Sequence, residues 1–266
     1  MSKTDHAIHQ INQLNTLACR DQWVNHIHPL VKFVLTIVYL AVTVSFPKYD
    51  VIGLLGMMVY PLVLFLLSDL SFAESMHRLR IVLPVVCLIG VLNPLFDHNV
   101  ITVGQMQISA GLLSMITLII KGVFCVFASY LLIATTTIEK ICYALRLLHV
   151  PKLMVNQFLL TYRYITLLLA EVSRITQAYS LRAPKQKGIH FKVWGSLVGQ
   201  LLLRSIDRAD TVYESMLLRG FCGEFQYVGE KRHIQAGDVI FLLVWLAVFA
   251  LFRAYPVLFV VGNLLT

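Results

Sequence analysis

The sequence predicts an all-α membrane protein, with about five transmembrane helices and a cytoplasmic region of amphipathic helices. Three observations predict it. Only 14% of the 266 residues are charged and 58% are hydrophobic, less charge than a soluble domain of this length carries. The mean hydropathy is +0.75 and the apolar residues gather into five long stretches. The basic residues gather elsewhere: segment 135–236 holds 14 of the 22 Lys and Arg but only 7 of the 14 Asp and Glu, whereas 97–109 has neither Lys nor Arg.

The elements follow in order. Residues 1–29 form a polar tail with no apolar run before Pro29, so no cleavable signal peptide is expected and the first span acts as its own insertion signal. Spans are expected at roughly 30–46, 51–68, 81–96, 110–134 and 238–262, some of them short against a hydrocarbon core of about 30 Å. Pro61, Pro84, Pro94 and Pro256 fall inside these spans, where neighbouring helices are expected to satisfy the carbonyls they free. Residues 69–80 read as an amphipathic link. Segment 98–109 alternates and contains Gly104, which suits a small hairpin. The positive-inside rule places 135–236, Arg78 and Arg80 in the cytoplasm and 97–109 outside; Lys48, in the outer turn 47–50, runs against the pattern. Five spans then leave the N-terminus cytoplasmic and the C-terminus extracytoplasmic. The organisation is a tail (1–29), a four-span block (30–134), a cytoplasmic helical region (135–236) and a last span (237–266).

In the cytoplasmic region, residues 138–148 place Ile138, Ile141, Cys142, Leu145 and Leu148 on one helix face before His149-Val150-Pro151 ends it. A second helix is expected from about 152 to 182, stopping before Pro184. Its apolar face holds Ile165, Leu168, Val172, Ile175 and Tyr179; Arg163, Arg174 and Ala178 lie opposite. The basic turn Pro184–Gly188 leads to a third helix over about 191–219. There Leu202, Ile206, Ala209, Tyr213, Met216, Leu217 and Gly220 share one side, and Arg204, Arg208, Ser215 and Arg219 the other. Gly220 is a natural helix stop, and Gly223 extends the break.

The ends of these two helices repeat one pattern 37 residues apart: a small residue, three positions, an arginine, a small residue. The first is Ala178 with Leu181-Arg182-Ala183. The second is Ser215 and Met216 with Leu218-Arg219-Gly220. Small residues permit close approach of another surface, and a guanidinium offers that surface several donors in a fixed fork. The pattern points to a grip on a cytosolic partner; solvation or contact with lipid headgroups is the plainer reading of the arginines.

Other chemistry finds little support. There is no HExxH, no GxSxG, no Gly-rich phosphate loop and no pair of carboxylates within a span, so neither an intramembrane enzyme nor independent ATP hydrolysis is expected. The basic segment lacks the aromatic interleaving of a nucleic-acid surface. Lys121 reads as a packing or snorkelling residue and Arg253 as one that snorkels outward. The five cysteines form no CxxC pair and read as small apolar residues. His6, His9, His26 and His28 lack accompanying cysteines or clustered carboxylates, so no resident metal or cofactor is expected. An autonomous channel or carrier remains as an alternative, although no inverted repeat is evident.

These residues resemble the transmembrane T component of energy-coupling factor (ECF) transporters, the CbiQ/EcfT family, which carries two Ala-Arg-Gly-type motifs at the ends of cytoplasmic coupling helices. Leu181-Arg182-Ala183 departs from that pattern at both small positions and Leu218-Arg219-Gly220 at the first; both arginines stand. His28-Pro29-Leu30-Val31-Lys32 resembles the family's Pro-x-x-Lys start of the first span. Tyr162-Arg163-Tyr164 with Glu171, and Leu203-Arg204-Ser205 with Arg208-Ala209, resemble its coupling regions. Arg219-Gly220-Phe221 with Gly223 is similar to the cobalt-type branch. The resemblance implies a scaffold that couples two ABC ATPase subunits to a substrate-binding S component of the metal type, with cobalt ion import as its task and vitamin import as the alternative. It implies ATPase contact at Arg182, Arg219 and the flanking Ala178, Leu181, Ala183, Ser215, Met216, Leu218 and Gly220. It implies support of the coupling helices by Arg163, Glu171, Arg204 and Arg208. Membrane lipid, and no nucleic acid, completes the expected surroundings.

Overall fold

Helix-forming runs punctuated by Pro and Gly set the element order. The computed structural model describes residues 3–20, 22–68, 70, 72–96, 100–103, 106–184, 188–223 and 234–254. In sequence they form α1 (Lys3–Ala18), α2 (Trp23–His26), α3 (Pro29–Ser45), α4 (Val51–Gly56), α5 (Val59–Ser68), α6 (Phe72–Phe96), β1 (Val100–Val103), β2 (Met106–Ser109), α7 (Ala110–Thr135), α8 (Ile138–Leu147), α9 (Lys152–Arg182), α10 (Phe191–Leu218) and α11 (Ala236–Ala254). Two compact units result, one made of Ala18–Thr137 with Arg232–Thr266, the other of Met1–Leu17 with Ile138–Lys231.

The first unit is a bundle of apolar helices. Pro29 opens α3 at a position that needs no N–H, and the His28 ring nitrogen Nδ1 accepts from the Leu30 amide at 3.3 Å. Tyr39, Tyr60, Trp245 and Phe249 from α3, α5 and α11 make an aromatic core, with the Tyr39–Tyr60 rings 4.6 Å apart and Tyr60–Trp245 edge-on at 4.9 Å. α6 and α7 pack closely enough that a Cβ on Gly122 would stand 3.1 Å from Val86 Cγ1. Elsewhere α6 exposes Val85, Leu88 and Ile89, and α7 exposes Leu112 and Ile116. Apolar side chains in such number on the outside of a folded chain mark a lipid-facing surface. β1 and β2 pair antiparallel from Val100↔Ser109 to Val103↔Met106, the hairpin that alternation suggested. Gly104 at its turn, Asp97 and the residues after 254 lie outside the described residues.

Several expectations change. The stretch 51–68 is two helices broken at Met57-Met58, because Pro61 has no N–H to give Met57 O; the Tyr39 hydroxyl donates to that carbonyl instead, at 3.0 Å. The link 69–80 becomes mostly the first turns of a continuous α6. The polar tail contains a helix, α1, since no Pro or Gly interrupts 3–18. Of the two readings of Lys121, packing holds, and Arg253 does not merely snorkel outward. Lys121 Nζ donates to Val44 O and Phe46 O at 3.0 and 2.6 Å, and Arg253 donates to Ser45 O at 3.3 Å with its guanidinium 5.2 Å from the Phe46 ring centroid. These carbonyls end α3, lack helical donors and carry the negative end of its dipole, so two cations suit them.

By length and composition α7, α9 and α11 could each cross a membrane, while α3, the 53–68 stretch and the centre of α6 are shorter apolar helices. The chain is an all-α membrane protein, with one small hairpin among the described residues. α9 is long and apolar enough to cross although it carries Arg163, Glu171 and Arg174.

Candidate functional site

The second unit holds the repeated arginine pattern, and the two copies end their helices by different means. α10 closes in a left-handed turn at Gly220, φ +78°. The Phe221 amide donates to Met216 O at 3.0 Å and the Gly220 amide to Leu217 O at 2.9 Å, the paired bonds of a Schellman cap, with Arg219 as the last half-helical residue. The loop beyond is fastened by the buried Asn156, whose amide donates to Gly223 O at 2.9 Å. α9 ends at Arg182 without such a turn. Ala183 has φ −127°, its amide donates to Tyr179 O at 3.0 Å, and Pro184 forbids another turn. The small-residue difference thus has a backbone cause. The second copy requires a positive φ and has glycine; the first does not and has alanine.

The guanidinium groups of Arg182 and Arg219 make no hydrogen bond or ion pair among the described residues. The leucine before each is almost fully exposed, Leu181 at 82% and Leu218 at 90%. Ala178 and Gly220 are exposed, while Ala183, Ser215 and Met216 are half-buried. Each helix end therefore offers an apolar knob beside an unengaged fork of donors.

Behind these ends α9 and α10 flank a groove of about 610 Å³. Glu171 sits in it, 22% exposed, and accepts a hydrogen bond from Arg204; Arg174 lies 3.6 Å away on the other carboxylate oxygen. Arg208 lines the same groove and Arg163 does not. This revises the helical-wheel reading, which set the arginines opposite the packing faces. Leu168, Ala209, Tyr213 and Met216 line the groove together with Arg174, Arg204 and Arg208, while Leu202, Ile206 and Leu217 lie outside it and are exposed. α10 buries no residue. The carboxylate on α9 selects which face of α10 meets it, a pairing no single-helix periodicity contains. At the opposite end, α8 closes on a left-handed His149, φ 62°, and the hydroxyl of Tyr162 in α9 donates to Asn15 Oδ1 of α1 at 2.8 Å. Burial, with Glu139 nearby, pushes the Cys142 thiol above its ordinary pKa.

No group of three or more potential metal ligands occurs among the described residues. His28 is buried with its Nδ1 occupied by the α3 cap. His6 and the basic turn 185–187 lie outside the described side chains. Sequence reasoning placed Lys32 in the Pro-x-x-Lys start of the first span without its partner, and missed Asp238. Lys32 donates from α3 to the carbonyl ending α7, and Asp238 accepts the His28 amide. A single charge at the head of an apolar run was the only signal of Asp238.

The profile of the CbiQ family, described as cobalt transport protein, matches residues 20–228. An uncharacterized protein of Methanocaldococcus jannaschii is 26% identical over 201 residues, covering 71% of this chain and 68% of that protein.

Proposed function

The chain belongs to the CbiQ family of cobalt transport proteins, a membrane component of cobalt-type transporters, and from that premise we propose that it is the T component of an ECF-type importer. In this reading the unit containing α8, α9 and α10 faces the cytoplasm, with five spans, the N-terminus inside and the C-terminus outside. Two ABC ATPase subunits engage Arg182 and Arg219. A metal-type S component captures cobalt ions, and this chain links nucleotide-driven movement of the ATPases to uptake without hydrolysing ATP itself. One observation carries the reading. Two helices of an apolar, basic chain each end in an exposed leucine and an unengaged arginine, held by capped or proline-stopped termini. The Glu171–Arg204 pair supports it, since α9 and α10 are joined by a charge contact and can move as one lever.

The test is charge reversal. Arg182→Glu and Arg219→Glu should each weaken copurification of the ATPases by about 2–5 kcal/mol, the cost of breaking a hydrogen-bonded interfacial charge contact, and the double variant should be worse. Lys192→Glu, at the far end of α10, is the control. Arg253 cannot serve, because it caps α3. Reversed variants that reach the membrane, retain the ATPases and import cobalt at the parental rate would refute the assignment.

A further inference from the structure

We infer that residues 25–32 are a mechanical node of the membrane unit, with Lys32 and Asp238 as its positioning residues, through which movement of the α8–α10 unit enters the helix bundle. The inference rests on the coupling role proposed above.

The backbone passes between the two units at three places: 17/18, 137/138 and 231/232. Within the membrane unit, the chain beside each crossing is tied to the same eight residues. Beside the first, the buried Asn25 donates from Nδ2 to Arg20 O at 2.8 Å and to Ala18 O at 3.5 Å. Beside the second, Lys32 Nζ donates to Thr135 O at 2.9 Å and Thr136 Oγ1 at 3.5 Å, all three residues being buried. After the third, the buried Asp238 accepts the His28 amide on Oδ1 at 3.2 Å and the Gln235 amide on Oδ2 at 3.1 Å. One carboxylate thus caps the start of α11 and fastens it to the N-cap residue of α3.

Two of these ties are charge-assisted and buried, the class that yields least under load, because breaking one strands a charge away from water. Lys32 stands at the C-terminal carbonyls of α7, where a helix accepts a cation. Since α3 packs on both α7 and α11, displacement of 135–137 or of 235 pulls on α3 instead of dissipating in a loop. Lipid contact or simple stability requires no such convergence of separate chain crossings on one short segment.

The experiment uses the full complex with both ATPases and the S component in proteoliposomes, and reads Co²⁺ taken up per ATP hydrolysed. Lys32→Met and Asp238→Ala should lower that ratio about tenfold or more, as expected for losing one charge-assisted hydrogen bond, while ATP hydrolysis and subunit copurification stay within about twofold. Lys32→Arg, which keeps a donor cation, should restore most of the ratio. A merely structural role would lower assembly, hydrolysis and uptake together and leave the ratio unchanged. Where a variant does not assemble, Lys32→Gln and Asp238→Asn, which keep polar atoms at the same places, are read instead. A parental ratio in every assembled variant overturns the node and leaves the scaffold role standing. A parent chain that neither binds the ATPases nor supports uptake overturns both.

Discussion

Replacing Gly220 by alanine isolates the backbone requirement at the end of α10. A Cβ at position 220 would meet no heavy atom within 4 Å, so the substitution adds no clash, and its whole effect is torsional. The φ of +78° lies in the left-handed region, where an L side chain costs about 1–2 kcal/mol. That cost falls on two cap hydrogen bonds, from Phe221 to Met216 and from Gly220 to Leu217, and on the loop that Asn156 holds at Gly223. Arg219, one residue before, loses its fixed direction. If the ATPases bind only the ordered cap, their affinity should fall by roughly tenfold, since 1.4 kcal/mol is one decade. Asparagine tolerates the left-handed region, so Gly220→Asn should lie between glycine and alanine. Ala183→Gly serves as the counterpart. At φ −127° it relieves no strain, and it should cost only about 0.4–1 kcal/mol through the unfolded chain. Amide exchange at 220 and 221, beside ATPase affinity in detergent, reports both the local and the functional effect. Equal behaviour of Gly220→Ala and the parent, or a larger loss from Ala183→Gly, would refute the argument.

Two further predictions concern other parts of the chain. Tyr39→Phe should cost about 1–3 kcal/mol by stranding Met57 O, and distinctly less in a Pro61→Ala background, where residue 61 regains an N–H; thermal unfolding of the four members of the cycle measures the coupling, and identical losses in both backgrounds would exclude it. Cys142 is buried and its thiol pKa is raised by that burial, so its thiolate is scarce near neutral pH and grows as pH rises; alkylation of the folded protein at pH 7 should modify the exposed Cys19 and Cys222 first and reach Cys142 only at higher pH or on unfolding.

Much of the fold was legible because Pro and Gly punctuate it. The bounds 152–182 for α9 follow from Pro151 and Pro184, and the end of α10 from Gly220. What failed was whatever depends on a partner distant in sequence. The break at Met57-Met58 looked like continuous apolar helix, since Pro61 is tolerated within a span and its effect depends on whether the Tyr39 hydroxyl is there to take the freed carbonyl. The face of α10 was misplaced because Glu171, 33 residues before Arg204, sets it. Arg253 looked like an isolated charge because the carbonyl it caps belongs to another helix. For the candidate site, the pattern located both helix ends, and the backbone φ at 183 and 220 explains why one ends in alanine and the other in glycine.

α10 carries a further implication, for the life of the protein in its cell. A helix of 28 residues that buries none of them, and leaves Phe191, Trp194, Leu202, Leu203 and Leu218 in the open, is unfinished by itself. In an unassembled copy those side chains are what chaperones and quality-control proteases bind, and local opening of so lightly held a helix exposes its backbone to cleavage. In the assembly proposed above, subunit supply would then govern abundance: copies made in excess of their companions should be removed, and matched stoichiometry should follow from turnover without separate control of synthesis.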